Sequence, residues 1–200
     1  MVQYVHIGSI INGKEALQMA HKIIICGGNG AGKSTLGKAL AEKTGWEFRD
    51  VEDYYFPKTD PDYLYAVQRT QEEFVSLLYD DLNKHDDLIF ASVRGNYSEQ
   101  TAAMFTCAVF VSVPKETRMK RVRQRAYDKL GNRVCEGGDL YEREKAFYDL
   151  IEKRTDKTVT DWLDTMDIPV IRVDGTKPIE ENIGTITDWL MQTERIQGAK

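Results

Sequence analysis

The sequence predicts an α/β fold of three layers, in which a five-stranded parallel sheet is covered by helices on both faces. Two observations carry that expectation: five short apolar runs recur between longer stretches of helical spacing, and a glycine-rich turn follows the first run directly. The runs are Ile23 to Cys26, Trp46 to Phe48, Leu88 to Val93, Ala108 to Val113 and Pro169 to Val173. Continuous apolar runs alternating with helices are what right-handed βαβ crossovers and a doubly covered parallel sheet require.

Residues 1–18 read as an N-terminal extension, because Met19 to Lys22 lead straight into the first run and Met19 reads as a natural start; a short strand around Tyr4 to Ile10 is the alternative. Residues 19–200 form the single domain that 200 residues with 42% hydrophobic and 30% charged content can build. A helix is expected from Thr35 to Thr44. Thr70, Gln71, Glu72 and Glu73 form a capping box that opens another, with Phe74, Leu77, Leu78 and Leu82 on its inner side. Pro114 opens a further helix and Gly131 closes it. The last helix runs from about Pro178 to Met191, with Ile179, Ile183, Ile186 and Trp189 toward the sheet.

A net charge of −5 speaks against the broad basic face that nucleic acids need, so the expected partner is a small molecule. Cys26, Cys107 and Cys135 make an odd count without C-x-x-C spacing, which indicates neither a disulfide framework nor a zinc site and suits a reducing cytoplasm. No run approaches the roughly 18 apolar residues of a membrane span, and no export signal is read at the start. His6, His21 and His85 have no partner at catalytic spacing. The sequence leaves the oligomeric state open.

The strongest motif is Gly27, Gly28, Asn29, Gly30, Ala31, Gly32, Lys33, Ser34, which fits G-x-x-x-x-G-K-[ST] between a buried strand and a helix that includes Thr35. Glycines let the backbone turn its N–H groups toward phosphate oxygens, and the new helix adds its positive end. Lys33 is expected to reach the β- and γ-phosphates of ATP, and Ser34 to hold Mg²⁺. Asn83 to Asp86 and Asp128 to Gly131 imitate guanine-nucleotide motifs in the wrong chain order. Val170 to Asp174 imitates a second nucleotide motif, with no glutamate after it.

Phe48, Arg49, Asp50, Val51, Glu52, Asp53 place acids just past the second run, beside the phosphate loop. On these motifs, over about residues 19 to 190, the chain resembles the small-molecule P-loop kinases of the adenylate, shikimate and gluconate kinase group. It is similar to a bacterial branch of adenylate kinase-like or AAA-family proteins. The resemblance implies a P-loop NTPase fold and transfer of a phosphoryl group from ATP to a hydroxyl. Asp50 would support Mg²⁺, and Glu52 or Asp53 would orient or deprotonate the acceptor; the glutamate at 52 departs from the D-x-D of shikimate kinases, and a solvated acidic turn would read the same way. Arg121 and Arg125, four apart on one helix, match the arginine pair at the lid edge, with Arg118 and Arg123 pointing elsewhere. A short lid at about 131–140 would carry Arg133 over the phosphates. Arg94 and Arg69 would meet the acceptor, beside a wall holding Tyr54, Tyr55, Tyr63 and Tyr65. Gly175 and Thr176 would cup adenine. A nucleoside monophosphate kinase, and a nucleotide-binding regulator with little turnover, are the alternatives.

Overall fold

The structure, a computed structural model, describes residues 20–198. The expected extension at 1–18, its alternative strand and His6 therefore lie outside the described residues. Five strands, β1 (Lys22–Cys26), β2 (Glu47–Asp50), β3 (Leu88–Ala91), β4 (Cys107–Ser112) and β5 (Val170–Asp174), form one sheet in the order β2-β3-β1-β4-β5. Every neighbouring pair is parallel. The chain leaves β3, passes over β1 and resumes as β4, so the carboxyl ends of β1, β3 and β4 meet where the strand order reverses.

The apolar runs are continuous because each strand feeds two cores. Ile23, Ile25, Ile89, Val109, Val111, Ile171 and Val173 face one side, against Leu36 and Leu40 of α1 (Lys33–Thr44) and Ile186 and Leu190 of α8 (Ile179–Gly198). Ile24, Cys26, Leu88, Phe90, Ala108 and Phe110 face the other, against Phe74, Leu78 and Leu82 of α3 (Gln71–Lys84) and Val159, Trp162 and Leu163 of α7 (Lys157–Leu163). Between them run two short helices, α2 (Val51–Tyr55) and α4 (Glu99–Ala102). Outside the sheet, α5 (Lys115–Leu130) continues through a 3₁₀ turn at Gly131–Val134 toward α6 (Tyr141–Lys153). The pair α5 and α6 packs through Met119, Val122 and Ile151.

The capping box is formed in both directions: the Thr70 hydroxyl accepts from the Glu73 amide, and Glu73 accepts from the Thr70 amide. Pro114 precedes α5 and Gly131, at φ 59°, ends it. Boundaries differ where tertiary bonding decides them. Helix α1 begins at Lys33, two residues earlier than spacing suggested. Strand β2 slides to 47–50, releasing Trp46 to stack on His21 at 4.5 Å. Strand β3 stops at Ala91, and α8 extends past Met191 to Gly198. Leu77 is 38% exposed, so it is not part of the inner face of α3. Helices α6 and α7 were not expected individually, although Glu144, Phe147, Tyr148 and Ile151 keep helical spacing.

Candidate active site

Gly32 enters α1 at φ 94° and supplies no side-chain cap, so the first-turn amides of Lys33, Ser34 and Thr35 have no acceptor within the helix. No acidic residue occupies that turn. The resulting concentration of N–H groups lies at the positive end of a 12-residue helix, an arrangement that favours negative charge. Gly27 donates to Val93 O at 3.3 Å, tying the loop to the segment after β3, and Ala31 donates to Gly28 O at 3.2 Å, closing the loop on itself. Lys33 Nζ folds back onto Gly28 O at 3.0 Å. Burial pulls Lys33 down to about 8, against Asp50 and Glu52 that hold its proton on, while Arg125 pushes the same way as burial.

The second strand delivers the acids. Asp50 ends β2 and caps α2, its carboxylate accepting from the Glu52 amide at 2.9 Å. Of the acids at 50–53, Asp50 and Glu52 are the two whose charge bears on Lys33. Asp53 turns outward to an exposed ion pair with Lys58. Glu52 Oε2 accepts from Tyr65 Oη at 3.2 Å, and burial together with this carboxylate pushes the Tyr65 phenol up to about 12.

Arg125 presents an exposed charge close enough to act on Lys33 and Tyr65, whereas Arg121, four residues earlier, donates to Gly175 O at 3.1 Å. That turn is close to the phosphate loop: a Cβ on Gly175 would lie 2.7 Å from Ala31 O. Thr176 is folded back on Asp174, whose carboxylate accepts from its amide and hydroxyl. Arg133 is engaged by Asp139 at 2.7 Å and by Asp62 O at 2.9 Å, so the segment 131–140 leans on residues 56–70 and not on the loop at 27–34. Arg69 donates to Asp53 O and Tyr54 O, where it ties down the end of α2. Arg94 is exposed, and its charge reaches Tyr55 and Tyr97.

The tyrosines are packing and bonding groups. Tyr54 is buried and donates to Asp81 at 2.6 Å; Tyr55 stacks on Phe74 at 4.4 Å. Tyr63 donates to Glu144 of α6 at 3.1 Å, with Arg143 over its ring at 4.3 Å. Arg143 also donates to Tyr65 O, and Lys129 to Tyr65 Oη. Residues 62–65 are therefore clasped to the end of α5 and the start of α6, with Tyr65 also bonded to Glu52.

Two arginines were missed. Arg118 was set apart from Arg121 and Arg125, yet seven residues make two helical turns, so it shares the stripe of Arg125; it is 5% exposed and lies under the phosphate loop. Arg154, at the end of α6, donates to the Asn29 side chain at 3.4 Å while its charge reaches Tyr97. Only its contact across 125 residues reveals it. Cys26, beside the loop, is inert: burial pushes its thiol up to about 12.

A family profile described as AAA domain matches residues 23–146, more than half of the chain. The chain belongs to the AAA domain family. Over 180 residues this AAA domain is 27% identical to protein YqaC of Bacillus subtilis (strain 168), itself described as uncharacterized, covering 86% of this chain and 98% of YqaC. Among solved structures it is similar to a candidate kinase from Chloroflexus aurantiacus, at 20% identity and a TM-score of 0.61 over 92% of this chain and 100% of that one. It is also similar to a gluconokinase from Sinorhizobium meliloti 1021, at 14% identity and a TM-score of 0.51 over 90% and 96%. At these identities the likeness establishes the fold: an α/β P-loop domain with a five-stranded parallel sheet.

Proposed function

We propose that this AAA domain is a kinase that moves the γ-phosphoryl of Mg-ATP onto a hydroxyl of a small molecule. One observation carries the reading: at the uncapped start of α1, Lys33 lies within reach of the charges of Asp50 at the end of β2, Glu52 in α2 and Arg125 in α5. Kinase descriptions on structures of the same fold support it.

The residues fit a nucleoside triphosphate. First-turn amides of α1 and Lys33 would hold the phosphates, Ser34 would hold Mg²⁺, and Asp50 would support that ion from behind. Mg²⁺ commonly takes one or two protein oxygens and the rest from phosphates and water, and its charge would offset that of the β- and γ-oxygens. Arg125 would neutralise charge spreading over the transferred group, and Arg121 with Gly175 and Thr176 would border the base. Glu52 suits the role of base better than Asp53. Its charge acts on Lys33 and its carboxylate is held by Tyr65, where it would accept the hydroxyl proton, whereas Asp53 is spent on Lys58. Arg94 would grip the acceptor; Arg69 is occupied by α2. Free thiols suit the cytoplasm.

A phosphate acceptor, as in a nucleoside monophosphate kinase, gains from one observation: Arg94 and Arg154 both direct positive charge at Tyr97. The deciding experiment measures ADP release from Mg-ATP across sugars, sugar acids, shikimate-like acids, nucleosides and nucleoside monophosphates, with Lys33→Ala as blank. A response to one hydroxyl class is expected. A response to monophosphates alone would establish the second reading, and ATP binding with no response to any acceptor would point to a regulator.

A further inference from the structure

We infer that Arg118 is a positioning residue that braces the phosphate loop from behind and so sets its affinity for the nucleotide. Its guanidinium joins three segments: Nε donates to Val113 O at 3.0 Å after β4, Nη1 to Asn29 O at 3.5 Å in the loop, and Nη2 to Asp156 Oδ1 at 3.0 Å ahead of α7. With its charge paired to Asp156 and its fork filled by two carbonyls, the residue can stay 5% exposed without an orphaned charge.

The guanidinium lies closely enough against the loop to oppose a side chain at Gly28, whereas Gly30, at φ 81°, sits over the main chain of residue 118 whatever the side chain there. A Cβ on Gly28 would lie 2.2 Å from Arg118 Nη1 and 2.6 Å from Cζ, and one on Gly30 would lie 2.4 Å from the Arg118 carbonyl oxygen. Gly28 does not have a left-handed backbone, so the Arg118 guanidinium, and not strain in φ, is what a side chain there would have to displace. The brace does not touch the nucleotide. It fixes the backbone whose amides do, and preorganised donors bind without the cost of ordering them.

The inference rests on the nucleotide reading of the loop, and the test separates the two. Dissociation constants for Mg-ATP and Mg-ADP are measured calorimetrically on the full chain for wild type, Arg118→Ala, Arg118→Lys, Gly28→Ala and the double variant Gly28→Ala/Arg118→Ala, with melting temperatures recorded alongside. Losing the charge-assisted bond to Asn29 O and the guanidinium against which Gly28 lies predicts about tenfold weaker binding or more in Arg118→Ala, with only partial recovery in Arg118→Lys, which lacks the fork. Gly28→Ala alone should weaken binding similarly by displacing the guanidinium. In the Arg118→Ala background the same methyl should cost less than twofold, because the obstacle is gone; a purely structural arginine would not produce that dependence. Equal affinity in wild type and folded Arg118→Ala, or independent losses in the double variant, overturns the brace while leaving nucleotide binding intact. Failure of wild type to bind either nucleotide overturns both.

Discussion

Replacing Lys33 with methionine should stabilise the nucleotide-free protein while removing its grip on phosphate. Burial lowers Lys33 from 10.5 to about 8. A tenfold change in acidity corresponds to about 1.4 kcal/mol, so carrying the proton at pH 7 costs the fold about 3 kcal/mol. Methionine removes that cost and loses the bond from Nζ to Gly28 O, worth about 1 kcal/mol. A net gain of about 2 kcal/mol is expected, or about 4 to 8 °C in melting temperature for a chain of this size. The pH dependence fixes the cause. Because the folded value is the lower one, the penalty is complete below about 8, shrinks as pH rises toward 10.5 and is absent above it. Urea denaturation of both proteins at pH 7 and pH 10.5 is the assay. A variant no more stable than wild type at pH 7, or an advantage unchanged at pH 10.5, would refute the reasoning.

Three further outcomes are expected. Glu52→Gln should lower turnover by about 10²- to 10⁴-fold with nucleotide affinity unchanged, while Asp53→Asn, which loses only an exposed pair with Lys58, should remain within a few-fold of wild type; steady-state kinetics with the acceptor found by screening checks both. Asp81 accepts from Arg49 at 2.7 Å and Tyr54 at 2.6 Å, and these bonds outweigh burial to hold its carboxyl below the ordinary value. Its contribution is therefore present above the usual carboxylate range and lost as pH falls through the lower folded value, and Asp81→Ala should cost about 2 kcal/mol at pH 7, read by denaturation. Tyr63→Phe frees Glu144 and should raise amide exchange in residues 56–68 and the acceptor KM several-fold, with the KM for ATP unmoved.

What was legible in the sequence was local or periodic. The phosphate motif, the capping box at Thr70 and the uninterrupted apolar strands each concern residues a few positions apart, so their physics is written in adjacent letters. Register and side-chain partners across the chain are not. Asp53 and Glu52 look equivalent in sequence, but Tyr65 selects one and Lys58 the other. Arg69 and Arg133 looked free to meet ligands and instead hold backbone carbonyls of α2 and residue 62. Glu144 on α6 and Arg154 at its end follow a helix whose stripe was readable, but their meeting with Tyr63 and Asn29 depends on how α6 packs back against α5. Arg118 is different, since helical arithmetic alone places it on the stripe of Arg125.

The grip of residues 27–34 on a triphosphate is tested most directly by calorimetric titration of Mg-ATP into the wild-type chain and Lys33→Met at pH 7 and pH 9.5. Binding by wild type in the range of about 1 μM to 1 mM is expected, weakening above pH 8 as the free ammonium loses its proton, and falling at least tenfold in the variant. No heat of binding at millimolar Mg-ATP, or equal affinity in the two proteins, would contradict the account.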